Sequence, residues 1–130
     1  MGRALELAAR AGDEGEVPVG AVVVLDGKVI GEGWNRPIAA ADPTAHAEIQ
    51  AMRAAASQLG NYRLTGALLY VTLEPCDMCV GAMFHARIAR AVYGAKDPKK
   101  QVLKSQVVLQ GGVLAEACGD ILTRFFAARR

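Results

Sequence analysis

The segment TLEPCDMCV, residues 72–80, carries two cysteines three positions apart, directly after a proline. We predict a helix from about Pro75 to Ala86, so that Cys76 and Cys79 lie on one side of its first turn. The unpaired amide hydrogens and the positive end of the helix dipole at such a turn favour thiolate over thiol. Two neighbouring thiolates indicate a bound cation, and zinc binds such a pair together with two further ligands.

His46 is the candidate for a third ligand, since the chain contains only two histidines. We expect it on the first turn of another helix, whose start is indicated by Asp42, Pro43 and Thr44. Glu48 follows two positions later and points around the first turn, near the metal but away from the direction in which His46 would bind it. Its carboxylate could simply favour the start of a helix, or it could carry protons beside an open metal position. The need for a proton carrier in metal-assisted hydrolysis favours the second interpretation.

The remaining cysteine and histidine have other expected roles. Cys118 could complete the zinc site, which would then be closed and would stabilise a binding module rather than catalyse a reaction. Its spacing from Leu114, Ile121 and Leu122 on a predicted helix instead indicates a core thiol. We expect His85, near the end of the helix that carries the cysteine pair, at the surface or at a subunit interface.

The elements that must position these residues follow from the hydrophobic pattern. Strands alternate with single helices after an opening hairpin, which predicts a layered α/β domain with a mixed sheet. If the third and fourth strands are parallel neighbours, the helices before and after the third strand start near its carboxyl end, where the metal would lie. The predicted elements are a helix over 4–12, a hairpin over 17–34 with its turn at 26–27, a loop over 35–41, a helix over 45–59, a strand over 67–73, a helix over 75–86, a strand over 89–95, a short strand over 106–110 and a helix over 112–130.

Length and composition limit the class of protein. With 130 residues and no repeat or linker, we expect a single domain over residues 1–130. Its 52% hydrophobic and 22% charged residues are values typical of globular proteins, and no apolar run or secretory signal is evident. An odd count of three cysteines fits metal use in a reducing compartment, so we expect a soluble, cytoplasmic protein without membrane contact.

Charge is distributed unevenly along the chain. Residues 1–86 contain six Lys and Arg against ten Asp and Glu, whereas residues 87–130 contain nine against three. The basic part could be a solvated face, or it could bind a phosphate backbone. On the second interpretation, we expect Lys99 and Lys100 to contribute to salt-dependent binding of RNA or DNA.

The sequences HAE at 46–48 and EPCDMC at 74–79 resemble the H-x-E and P-C-x-x-C signature of the zinc-dependent cytidine deaminase superfamily. More narrowly, the chain is similar in order and spacing to the bacterial tRNA-specific adenosine deaminases. The segments that carry this similarity are EVPVGAVVV, GEGWNRP, DPTAHAEIQAMR, NYRL, LYVTLEPCDMCVGAM, RIARAVYGAKD and GVLAEAC.

This resemblance implies a three-layer α/β/α cytidine deaminase-like fold with a five-stranded mixed sheet, one Zn²⁺ per subunit and a homodimer. It implies hydrolytic conversion of adenosine to inosine at the wobble position of a tRNA anticodon loop. Apart from the resemblance, single-stranded DNA is a further expected substrate. The alternative is deamination of a free base or nucleoside such as guanine or cytosine. The basic second half favours a polynucleotide substrate, because a base within a polynucleotide arrives with phosphates attached.

The resemblance also assigns roles residue by residue. Glu48 is the expected proton carrier between water, the adenine ring and the leaving amine. The expected zinc ligands, with water as the fourth, are His46, Cys76 and Cys79. The expected contacts to the flipped nucleotide are Asn35, Val17, the backbone of Ala47, and Asp97.

One segment departs from the family. After GAKD the chain continues through PKKQVLKS, residues 98–105, where the family has a longer loop with a serine that helps hold the anticodon loop. The start of the chain is also short, as expected for a shortened or engineered form. These differences leave the zinc chemistry intact and bear on the selectivity for tRNA.

Overall fold

The computed structural model describes residues 1–98 and 107–129, so the predicted phosphate contacts Lys99 and Lys100 lie outside the described residues. No helix among the described residues has the length and hydropathy needed to cross a membrane. The elements are α1 (Gly2–Asp13), β1 (Gly20–Leu25), β2 (Lys28–Trp34), α2 (Pro37–Ala40), α3 (Ala47–Leu59), β3 (Leu68–Leu73), α4 (Asp77–His85), β4 (Arg90–Ala95), β5 (Val108–Gln110) and α5 (Ala115–Ala127).

The five strands form one mixed sheet in the order β2-β1-β3-β4-β5, which confirms the predicted sheet. β1 runs antiparallel to both β2 and β3, and its hairpin turns at Asp26 and Gly27, which both have positive φ. β3, β4 and β5 are parallel, with Val71 opposite Tyr93. The carboxyl ends of β3 and β4 therefore lie side by side, and the segments that leave them can meet.

Helices cover both faces of the sheet. α1 packs on β1, α5 packs on β4, and the two helices contact each other. α3 packs on β2 and β1 and contacts α4, whose buried Val80 and Met83 join the core cluster that contains Val71 and Ala91. This arrangement is the three-layer α/β/α architecture expected from the sequence.

Two features differ from the predicted elements. The loop expected over 35–41 contains the short helix α2. The helix expected over 45–59, with its start indicated by Asp42, Pro43 and Thr44, begins at Ala47, because the Asp42 carboxylate accepts hydrogen bonds from the backbone N–H of Thr44 at 2.8 Å and from its hydroxyl at 2.7 Å. Asp42 thus closes a turn of its own, and His46 becomes the N-cap residue of α3.

Gly33 on β2 brings the sheet into direct contact with the backbone of α3. A Cβ added at Gly33 would overlap the carbonyl oxygen of Ala47 and the amide nitrogen of Ala51. We expect Gly33→Ala to lower the free energy of unfolding by about 1–3 kcal/mol, because α3 must move away from the sheet. Urea denaturation measures this change.

The control for this prediction is Gly119→Ala in α5, where a Cβ has open space and a helix-favouring side chain replaces glycine. We expect this variant to be at least as stable as the wild type. Equal stability of the two variants would contradict the close packing of β2 on α3.

Candidate metal and catalytic site

The starts of α3 and α4 bring the predicted metal ligands together. His46 is the N-cap residue of α3 and Cys76 is that of α4, and neither forms a side-chain hydrogen bond to its own helix. Cys79 lies in the first turn of α4 and is fully buried. Because the imidazole and the sulfurs are not used as helix caps, they are available to one another.

The distances within this group fit a zinc ion. Nδ1 of His46 lies 3.5 Å from Sγ of Cys76 and 3.6 Å from Sγ of Cys79, and all three ligand atoms lie within 4.8 Å of one another. For zinc bonds of about 2.3 Å to sulfur and about 2.0–2.1 Å to nitrogen, tetrahedral geometry places a nitrogen and a sulfur ligand about 3.6 Å apart and two sulfur ligands about 3.8 Å apart. The two nitrogen–sulfur distances therefore match those of a zinc site, and all three ligand atoms are close enough to bind one ion.

Cys118 is not part of this group. It lies on α5, on the face of the sheet opposite α3 and α4, and its sulfur packs against Gly94 so closely that a Cβ on that glycine would overlap it. Burial raises the pKa of the Cys118 thiol. This placement fits a core thiol and not a fourth zinc ligand.

Hydrogen bonds among the three side chains polarise the site. The pKa of Cys76 is lowered to about 4 by hydrogen bonds from the Cys79 thiol and from His46. The hydrogen bond that the Cys79 thiol donates to the Cys76 sulfur raises the pKa of Cys79. The hydrogen bond from His46 to the same sulfur raises the pKa of His46. The site thus stabilises one thiolate before any cation binds, and a dication would deprotonate the second thiol as well.

Glu48 lies in the first turn of α3 and is only 4% exposed. Its pKa is raised to about 7, chiefly because burial disfavours the charged carboxylate and also because the Cys76 thiolate is near. A carboxyl group that titrates near neutral pH can both accept and return a proton. The position and pKa of Glu48 therefore suit acid–base chemistry beside the metal group.

A cavity of about 160 Å³ opens onto this group. Three of the predicted substrate contacts, Val17, Asn35 and Asp97, line it. Ala47 does not line it, but the backbone N–H of Ala47 donates to Oδ1 of Asn35 at 3.2 Å. Since this bond uses the oxygen of the Asn35 amide, the amide nitrogen can donate to a molecule in the cavity. Among the residues that the structure describes, the lining is Val17, Val19, Asn35, His46, Glu48, Leu73, Glu74, Cys76 and Asp97.

Sequence reasoning missed two acidic residues near the cavity. Glu74 lines it and accepts a hydrogen bond from the backbone N–H of Asp97 at 3.0 Å, which ties the ends of β3 and β4 together. Glu16 is 2% exposed and contacts the backbone of α2. Glu74 could have been found from its place at the carboxyl end of a predicted parallel strand, whereas no local pattern indicates the contact of Glu16.

Residues 1–95 match the family model of the cytidine and deoxycytidylate deaminase zinc-binding region. The chain is also 50% identical to a tRNA-specific adenosine deaminase of Haemophilus influenzae over 143 aligned positions, which cover 100% of this chain and 83% of the relative. The chain belongs to the zinc-dependent tRNA-specific adenosine deaminases. The resemblance in its sequence is thereby confirmed, and the deaminase is a zinc enzyme.

Solved structures agree with this assignment. The deaminase is 44% identical, with a TM-score of 0.86, to a structure from studies of A-to-I editing by tRNA:A34 deaminases at the wobble position of transfer RNA. That match covers 92% of this chain and 95% of the other. The deaminase is also 44% identical to a guanine deaminase of Bacillus subtilis, with a TM-score of 0.69. That match covers 73% of this chain and 61% of the guanine deaminase chain.

The Haemophilus alignment also bears on length. It spans 143 positions, whereas the deaminase has 130 residues, so the relative has residues without a counterpart here. The shortened loop after Asp97 stays a prediction from the sequence.

Proposed function

We propose that the deaminase converts adenosine to inosine at the wobble position of a tRNA anticodon loop. The observation that carries this proposal is a zinc-compatible His-Cys-Cys group beside the buried Glu48, in a chain half identical to a tRNA-specific adenosine deaminase. The proposal treats residues 1–130 as a single deaminase domain.

His46, Cys76 and Cys79 are the proposed ligands of one zinc ion per subunit. Their mutual distances support this assignment, and the helix N-termini on which they lie stabilise the thiolates. When bound, zinc supplies Lewis-acid activation of water for attack on a ring carbon.

Glu48 is the proposed catalytic acid and base. Its carboxylate takes a proton from the attacking water as the oxygen bonds to C6 of adenine, and it gives that proton to N1 of the ring. It then transfers the second proton of the water to the amine on C6, the C–N bond breaks, and ammonia leaves. The pKa near 7 supports this role, because the protonated and ionised forms are both accessible at neutral pH.

The nucleotide is proposed to bind in the cavity beside the metal group. The amide nitrogen of Asn35 donates a hydrogen bond to the substrate, while the Ala47 backbone fixes the orientation of that amide. Val17 supplies an apolar wall, and Asp97 contacts the ribose or the neighbouring backbone. The placement of Val17, Asn35 and Asp97 around the cavity supports these roles.

Replacing Asn35 tests the proposed substrate contact. We expect Asn35→Ala to lower kcat/KM by about tenfold to a hundredfold, since a polar contact inside a closed site is lost. Steady-state inosine formation on an anticodon stem-loop RNA measures the change. The matched control is Asn61→Ala, because Asn61 is exposed and its side chain contacts only the local backbone at Arg63 among the bonds described. Wild-type kcat/KM in Asn35→Ala would contradict the contact.

A second subunit is proposed to cover the groove between α3 and α4. An apolar cavity of about 380 Å³ lies there, away from the metal group, and Tyr62 at its rim is 66% exposed. Phe84 on α4 is exposed by 43%. Burial of these side chains in a homodimer would remove apolar surface from water. Light scattering coupled to size-exclusion chromatography measures the molar mass in solution. The proposal predicts twice the mass of one chain, and the mass of a single chain would contradict it.

The cytoplasm is the proposed location, without membrane association, because tRNA is the proposed substrate and none of the three cysteines forms a disulfide. Single-stranded DNA is a further proposed substrate, since the basic second half of the chain can bind either phosphate backbone.

A comparison of four substrates distinguishes this proposal from the alternative, deamination of a free base or nucleoside. The deaminase is incubated with an anticodon stem-loop RNA, an adenine-containing DNA strand, free adenosine and free guanine, and ammonia and the deaminated bases are measured. We expect inosine from the RNA at the highest kcat/KM. Preferred turnover of free guanine would support a free-base deaminase, the activity named for the Bacillus subtilis structure.

A further inference from the structure

Glu16 is a buried carboxylate with a defined set of partners. It is 2% exposed, and its two oxygens accept hydrogen bonds from the backbone N–H of Ile38 at 3.2 Å and of Ala39 at 2.8 Å. Both donors belong to α2, which spans only Pro37–Ala40. Burying a carboxylate costs free energy unless hydrogen bonds compensate, so these two bonds are needed for Glu16 to remain in place.

The turn that Glu16 holds begins two residues after Asn35. A helix of four residues is not stable by itself, because too few hydrogen bonds form for the backbone that must be ordered. Its end is also fixed by Ala41 in a left-handed conformation, with a φ of 50°. The conformation of α2 therefore depends on contacts from outside the helix, and Glu16 provides two of them.

Further hydrogen bonds connect the same two segments around Asn35. The backbone N–H of Asn35 donates to the carbonyl of Val19 at 3.0 Å, and its side-chain oxygen accepts from Ala47. On one side of Asn35, therefore, residues 16–19 hold the chain, and on the other side the start of α3 holds it. Glu16 itself does not line the cavity, although the next residue, Val17, does.

We propose that Glu16 is a positioning residue, which fixes the turn of α2 and thereby holds Asn35 in the geometry that binds the nucleotide. Glu16 does not touch the substrate and acts through Asn35. A side chain held in place before binding loses less conformational entropy when the substrate arrives. This inference rests on the proposed contact of Asn35 with the substrate.

The test is a double-mutant cycle between Glu16→Gln and Asn35→Ala. The glutamine keeps the shape of the side chain but presents an amide NH₂ to one of the two backbone donors. We expect Glu16→Gln to lower kcat/KM on the stem-loop RNA by about tenfold in the wild-type background. In the Asn35→Ala background the same change should lower it by less than about twofold, since the interaction through Asn35 is already lost.

Glu14→Gln is the matched control for this cycle. Glu14 lies two residues away and accepts hydrogen bonds from Trp34 at 3.0 Å and from Arg10 at 3.4 Å, and we expect its replacement to leave kcat/KM unchanged. Zinc content and the Tm of all variants are measured, and rates are compared well below the lowest Tm.

Amide hydrogen exchange gives a readout that does not depend on turnover. In Glu16→Gln, the amides of Ile38 and Ala39 should exchange faster, whereas that of Gln50, which bonds the His46 carbonyl within α3, should not. Unchanged exchange at Ile38 and Ala39 would overturn the inference whatever the activity.

The outcomes of the cycle separate this inference from the proposed function. Equal factors for Glu16→Gln in both backgrounds would overturn the inference alone, because Glu16 would then act independently of Asn35. Wild-type turnover in Asn35→Ala would overturn the proposed substrate contact and this inference together.

Discussion

Replacing Glu48 by alanine is expected to lower the rate of adenosine deamination by about 10²–10⁴-fold, since acid–base catalysis at the reacting centre is lost. The zinc content should stay that of the wild type, because Glu48 is not one of the three side chains with ligand spacing. Loss of an unfavourably buried carboxylate should also leave the fold intact. Single-turnover inosine formation and metal analysis measure both effects.

Glu48→Gln distinguishes loss of proton transfer from loss of side-chain volume as the cause of the lower rate. Glutamine fills the same volume but cannot accept and return a proton, so this variant should be as inactive as Glu48→Ala. Glu32→Gln is the control, because Glu32 pairs with Arg3 at the surface of β2 and α1 and does not line the cavity beside the metal group. Turnover retained in either Glu48 variant would refute the assigned role.

Replacing Cys79 by serine is expected to lower the deamination rate by a similar factor, but through loss of zinc and not through loss of acid–base catalysis. Serine at this buried position removes one of two thiolates, so bound zinc should fall from one per chain to a small fraction, and activity should fall with it. The Tm should fall too, because metal binding contributes to the stability of the folded state. Plasma emission spectrometry and differential scanning calorimetry measure these changes.

Cys118→Ser is the matched control for the loss of a buried thiol. Cys118 is as buried as Cys79 but lies across the sheet, against Gly94. We expect it to keep full zinc content and activity, with only a decrease in Tm. Loss of zinc in Cys118→Ser, or retention of zinc in Cys79→Ser, would contradict the proposed ligand set.

The sheet and the proximity of the three metal-ligand side chains could be predicted from the sequence, because both follow from strong local patterns. The apolar run at 67–73 indicates a buried strand, and parallel pairing of β3 with β4 places the helix starts at one edge. The Cys-x-x-Cys pair and His46 then meet as expected.

The starts of the helices were predicted less well, and the reason is chemical. Asp42 and Thr44 suit a helix N-cap, but the same side chains also close short turns through bonds to nearby backbone N–H groups. Local sequence does not distinguish these uses. The choice depends on tertiary contacts, such as the bond from Arg36 N–H to the Ala45 carbonyl, which fixes the chain before α3.

Two carboxyl groups in or next to the cavity wall contact backbone that is distant in the sequence. Glu74 holds the backbone of Asp97, 23 positions away, and Glu16 holds α2 across 22 and 23 positions. A carboxylate in such a position resembles an ordinary surface acid in the sequence. For Glu16, only the fold reveals that the side chain is buried and bonded to backbone amides.

Zinc K-edge X-ray absorption of the purified deaminase tests the central claim most directly. The proposed site predicts one zinc per chain with two sulfur ligands at about 2.3 Å and two nitrogen or oxygen ligands at about 2.0–2.1 Å. The sulfur count should fall for the small fraction of zinc that Cys79→Ser still binds, and it should stay unchanged in Cys118→Ser. Three or more sulfurs, or a spectrum insensitive to Cys79, would contradict a His46, Cys76 and Cys79 site that leaves a position open for water.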